Sequence, residues 1–206
     1  KLGMIGRGDG SFGSAQAEAA RLDGILGADW KGLPPYTHDD GICYGSSGEM
    51  TWSDGRHAEK AMPDVPPEAK LHIVKTTAPI KTADEGEQAL INGYPLTWCG
   101  NWGGVMQCEV KGSGDKARLM NHRSGSWSHQ QSCEAVERHI ELGRIFWIQN
   151  QWGLSAHGTC PSGAPPGGYW ITDKEFEWQC RNGEVFAFSG HDGYPAQQLD
   201  YFWGTP

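Results

Sequence analysis

No run of about 18 consecutive apolar residues occurs in this 206-residue chain, so no segment is expected to cross a membrane as a helix. Positive charge is also scarce: 17 Lys and Arg stand against 25 Asp and Glu, a formal net charge of −8. A nucleic acid is therefore not an expected partner, because phosphate backbones select basic surfaces. The His and Cys residues show neither C-x-x-C nor H-x-x-x-H spacing, so no metal and no other cofactor is expected. No internal repeat is visible. The charged-then-apolar opening of a secretory leader is missing too, although a mature chain would have lost one.

What the chain does have is 30 Gly and 10 Trp. Neither suits a helical bundle: Gly at this level means many turns and close backbone approaches, and Trp favours β-rich cores or binding faces. The length allows one good core or two small lobes. Six Cys permit three disulfides, or a reactive thiol among structural ones.

Residues 1–13 read as a Gly-rich arm. Ser14 caps a short expected helix through Leu26, with Gly27 as its stop and Leu22, Ile25 and Leu26 as its apolar face. Leu71, Ile73 and Val74 suggest a strand. Thr82 and Glu85 form a capping box for a helix that runs to Ile91 and ends at Asn92-Gly93. A strand then starts at Pro95-Leu-Thr-Trp98. Further on, Ile145-Phe-Trp-Ile148, Tyr169-Trp-Ile171 and Val185-Phe-Ala-Phe188 fit buried strands. The sum is an α+β class, with helices early and an antiparallel sheet late.

Three segments carry candidate chemistry. Cys43 lies in Asp39-Asp-Gly-Ile-Cys43, and Asp40 as a helix cap places it in a first turn, where the helix dipole favours a thiolate. The alternative reading is a buried structural Cys or half of a disulfide. His129 follows a Gly-rich turn and opens a strand, which would turn its ring into a cleft; on its own it also reads as an ordinary polar His. Asn150 leaves the apolar run 145–148 into Trp152-Gly153, where it would accept an imidazole N–H under cover of Trp152; the alternative is a turn Asn beside a packing Trp. A thiolate to attack, a base to move the proton and an orienter for the base make up a Cys-His-Asn hydrolase.

In the order Cys, His, Asn-Gln-Trp-Gly153 and Gly168-Tyr-Trp-Ile171, these segments resemble the papain-like cysteine peptidase family, over roughly residues 35–190. Ala89-Leu-Ile-Asn-Gly-Tyr-Pro-Leu96 also looks like the family's segment before the His-bearing strand. The resemblance implies a helical lobe packed on an antiparallel, barrel-like lobe. Residues 1–33 would be an arm with its short helix and 34–206 the papain-like domain, helical over about 34–90 and β over about 91–206. It further implies a cysteine peptidase acting on a peptide or protein substrate, with Cys43 as nucleophile, His129 as base, Asn150 as orienter and Trp152 as shield. The closing stretch Phe186-Ala-Phe-Ser-Gly-His-Asp-Gly-Tyr-Pro is similar to the tail of compact domains in phage and environmental bacterial proteins. That similarity implies a virion-associated or extracellular setting and a virion or other protein assembly as partner.

The chain departs from the family at named positions. The family's Cys-Gly-Ser-Cys-Trp segment is absent around Cys43, and the interval from Cys43 to His129 is shorter than in the larger enzymes. Thr37 stands where the family has its oxyanion Gln, leaving Thr37, His38 and the Cys43 N–H as candidate oxyanion donors. An alternative expectation is therefore a papain-like domain without effective catalysis, serving as a structural or binding component. A carbohydrate-binding β module presenting Trp98 and Trp102 is a third. The remaining cysteines read either as free thiols or as the pairs Cys99–Cys108, closing a hairpin, and Cys160–Cys180; Cys133 reads as core.

Overall fold

The protein is described from a computed structural model that covers residues 13–25, 67–150, 152, 154, 156–161 and 166–191. Cys43, Thr37 and His38 lie outside the described residues, as does most of the stretch assigned to a helical lobe.

The first helix, α1, spans Gly13–Leu22 and buries Gly13, Ala17 and Ala20. This corrects the expected apolar face, since Leu22 and Ile25 are exposed. A helix lying this close to a sheet needs small residues at its contact: Gly13 sits against Cys99 and Glu184. The chain leaves the helix at Gly24, whose φ of +85° a side chain would strain. The Ile25 N–H then donates to the His72 carbonyl. Residues 67–72 form a 3₁₀ turn, and strand β1 occupies Val74–Pro79. The strand expected from Leu71 thus begins later, and Leu71 itself is exposed.

Two Thr-x-x-Glu boxes start the other two helices. Thr82 Oγ1 accepts the Glu85 N–H at 3.2 Å, and the Glu85 carboxylate turns back to accept the Lys81 N–H at 2.7 Å. Helix α2 follows over Ala83–Ile91 and ends at Asn92 and Gly93. Thr172 caps α3 (Asp173–Asn182), accepting the Glu175 N–H at 3.4 Å. This second helix start was not expected from the sequence, where residues 169–188 read only as strands.

The remaining strands are β2 (Leu96–Gly100), β3 (Gly103–Gly104), β4 (Glu109–Lys111), β5 (Arg118–Met120), β6 (Arg123–Gly125), β7 (His129–His139), β8 (Gly143–Gln149), β9 (Gly168–Thr172) and β10 (Glu184–His191). Eight of the ten form one sheet in the order β1-β10-β2-β7-β8-β9-β5-β4. Every pairing in it is antiparallel except β5 with β9. The class is therefore α+β, with three helices and a large, mostly antiparallel sheet among the described residues.

Strand alternation assigns the two faces. Trp98, Cys133, Phe146, Ile148, Tyr169, Ile171 and Val185 join Ala83, Ala89, Phe176 and Cys180 in the main core beneath α2 and α3. Phe176 stacks on Phe146 with ring centroids 4.0 Å apart, a contact worth about 0.5–1.5 kcal/mol beyond its area. Ile145, Trp147 and Trp170 turn to the other face with Met120. Gly168 lets β9 close on β8: a Cβ there would lie 2.3 Å from the Trp147 ring and 2.6 Å from the Ile148 carbonyl oxygen. Trp98 and Trp102 are each 2% exposed, so they are core residues, which overturns their reading as an exposed carbohydrate platform. The five described cysteines are free, with Cys133 and Cys180 buried.

Candidate functional site

β7 and β8 are adjacent antiparallel strands, and their register pairs Ser132 with Gln149. The start of β7 therefore lies beside the end of β8. His129 is the first residue of β7, and Asn150 is the residue after β8. Their side chains meet: His129 Nε2 and Asn150 Oδ1 are 2.8 Å apart. The amide oxygen can only accept, so with this amide orientation the imidazole donates.

Asn150 is held from both sides. Its backbone N–H donates to the Gly167 carbonyl at 3.3 Å, which ties it to the turn that leads into β9. The Trp152 ring lies over the His129 ring, with centroids 4.5 Å apart and planes 29° apart. Trp127, just before β7, adds a second indole 5.0 Å from Trp152 and 5.8 Å from His129. The bond thus sits under two indoles, where a hydrogen bond is stronger than in water. Burial holds the His129 imidazole below the ordinary histidine value, against the opposing pull of its bond to Asn150. His129 is half-buried, whereas Asn150 is only 4% exposed.

Besides Trp127, the site contains a polar residue that the sequence did not single out. His157 is 2% exposed. Its Nε2 lies 2.7 Å from Asn150 Nδ2, and its Nδ1 lies 3.1 Å from the Met106 carbonyl oxygen. Its ring meets Tyr169 edge to face at 4.7 Å, and the Tyr169 hydroxyl pairs with the Gln131 amide. Gln131 and Cys133 share the strand face of His129, so this row runs from a half-buried imidazole into the fully buried core. Cys133 does not line the site but joins that core. A lone His in a Gly- and Ser-rich loop gives no sequence signal, because Met106 is remote in sequence.

Burial raises each of the five described thiols: Cys108 and Cys180 to about 12, Cys133 well above the ordinary value, and Cys99 and Cys160 above it. None of them is a ready nucleophile near neutral pH. No group of three or more His, Cys, Asp or Glu suited to a metal occurs among the described residues. A scan against protein-family models and a search of curated proteins found no match to this chain.

Proposed function

We propose that this chain is a papain-like cysteine peptidase in which Cys43, His129 and Asn150 act as nucleophile, base and orienter. The observation that supports the reading is the 2.8 Å bond between His129 and Asn150 beneath Trp152. With Nε2–H given to Asn150, the other ring nitrogen, Nδ1, keeps its lone pair, and no described residue bonds it. In the proposed cycle Nδ1 takes the Cys43 thiol proton and the thiolate attacks the substrate carbonyl carbon. The C–N bond then breaks as the imidazolium protonates the leaving amine. Water, giving its proton to the same nitrogen, hydrolyses the thioester and regenerates the thiol. The Cys43 N–H with Thr37 or His38 would stabilise the oxyanion, and Thr37 in place of the family's Gln implies a slow enzyme, since one lost donor typically costs about 100- to 1,000-fold.

The same Thr37 favours a second reading, a papain-like domain with little or no turnover that serves as a structural or binding part of an assembly such as a phage particle. One experiment separates the two. A broad peptide library is digested by the wild-type chain and by Cys43→Ala. The peptidase reading expects products from the wild type only, blocked by thiol alkylation. Identical product profiles would overturn it and leave the assembly role.

A further inference from the structure

We propose that His157 is a positioning residue: acting through the Asn150 amide, it decides which nitrogen of His129 carries the proton. One group in this chain of bonds cannot be reversed. A backbone carbonyl only accepts, so His157 must donate to Met106 from Nδ1 across the 3.1 Å contact. A neutral His157 then has only a lone pair on Nε2, and the 2.7 Å partner on Asn150 must be the NH₂ group. That orientation turns Oδ1 towards His129, where the 2.8 Å contact requires an N–H on Nε2. Nδ1 of His129 is left as the base.

An amide by itself is an ambiguous group, because oxygen and nitrogen are nearly the same size. Rotated by half a turn it would offer its NH₂ to His129, whose proton would then move to Nδ1 and block the basic lone pair. An Asn alone orients an imidazole but does not choose its tautomer; the Met106 carbonyl, relayed by His157, makes that choice. Its consequence for catalysis rests on the reading of His129 as the base.

The chain also ranks the two imidazoles as proton acceptors. A proton added to His129 Nδ1 leaves every bond in place. A proton added to His157 Nε2 sets two N–H groups against each other and forces the amide to turn over, so His157 is the weaker acceptor and stays neutral while His129 titrates. Among the described residues, the titratable groups that face His157 are His129 on β7, Tyr169 on β9 and, through its N–H to the His157 carbonyl, Cys108. Burial raises both the Tyr169 hydroxyl and the Cys108 thiol, so neither supplies a negative charge that would hold a cation at His157. Burial lowers His157 itself, opposed by its bond to Met106 and reinforced by the charge of His129.

The test reads ring protonation directly, by long-range ¹H–¹⁵N correlation on the ¹⁵N-labelled full chain without substrate. Above pH 8 the wild type should show a single Nε2–H tautomer for His129 and Nδ1–H for His157, with His157 unchanged while His129 titrates. His157→Phe, which removes the acceptor, should give His129 a mixture of tautomers. His157→Gln, whose carbonyl can accept from the Asn150 NH₂, should restore the single Nε2–H form. An Nε2–H tautomer at His157 in the wild type, protonation of His157 before His129, or a His129 tautomer unchanged in His157→Phe would each overturn the proposal. If His157→Phe does not fold, the wild-type titration decides alone. The readout needs no turnover, so a failed peptide digest would sink the peptidase reading and leave this result standing.

Discussion

Replacing Asn150 with alanine removes the amide from both imidazoles at once, and the two losses differ in size. His129 is half-buried and can recruit water, so the lost bond should cost about 0.5–1.5 kcal/mol. His157 is 2% exposed, and its Nε2 would be left without a partner in the interior. A buried unsatisfied group costs about 1–3 kcal/mol. Asn150→Ala should therefore lower unfolding stability by about 1.5–4.5 kcal/mol, read as a shift in the urea midpoint at constant slope. The same substitution frees the His129 ring to rotate and to change tautomer. If the orienting bond contributes about 1.5–3 kcal/mol to the reactive geometry, iodoacetamide labelling of Cys43 should slow by about 10- to 150-fold. The labelling is interpretable because the five described thiols are all raised by burial and stay protonated at pH 6–7. Peptide mapping by mass spectrometry assigns the label. A variant that loses stability but labels Cys43 at the wild-type rate would refute the orienting role.

Two further outcomes follow from the same structure. His129→Ala should remove most of the pH 6 labelling of Cys43 while leaving its labelling at pH 9 nearly intact; equal rates at pH 6 would show that no thiolate–imidazolium pair exists. Glu87 is 6% exposed and accepts from Arg138 at 2.8 and 2.7 Å and from Arg144 at 2.7 Å. Burial pushes its carboxyl up, but the bonds from Arg144 and Arg138 more than offset this and hold it below the ordinary value of 4.5. A depressed carboxyl stabilises the fold above its unfolded pKa, and that stability is lost as pH falls through the folded one. Glu87→Gln should therefore cost about 1–3 kcal/mol at pH 7 and less once pH falls below the ordinary carboxylate range, measured by urea unfolding at pH 7 and at the lowest pH at which the chain stays folded. An equal cost at the two pH values would refute the charge-based account.

Local signals in the sequence were legible where they were strong. The capping box at Thr82 and the apolar runs at 145–148, 169–171 and 185–188 mark elements whose preferences and packing agree. The failures have physical causes. Thr172 and Glu175 carry the same capping cue as Thr82 and Glu85, but β9 runs directly into α3 with no turn residues between, so the apolar run hid the helix start. α1 was expected to bury its largest residues, whereas the sheet leaves room only for Gly13, Ala17 and Ala20. Trp98 and Trp102 looked available for ligands because sequence does not show which strand face the helices cover. At the site, the order of His129 and Asn150 was readable from a motif. His157 was not, because its role depends on Met106 and Asn150 converging from separate loops.

The buried amide and imidazole also bear on why the chain carries them. Asn150 and His157 fill space that apolar side chains of similar size would fill without desolvating any polar group. Removing one partner of a buried bond orphans the other, whereas replacing both with apolar groups of similar shape is often close to neutral. Asn150→Leu and His157→Phe should each destabilise the protein by about 1–3 kcal/mol, and the double variant by less than their sum, with a coupling of about 1–2 kcal/mol. Cys43 labelling at pH 6 should remain slow in the double variant, because His129 has lost its orienter. A stable, poorly labelled double variant separates the two demands on these residues: the fold can do without the polar pair, and the reactive thiol cannot. Strictly additive stability losses in a urea double-mutant cycle would refute the pairing. Wild-type labelling in a stable double variant would remove the functional reason for burying it.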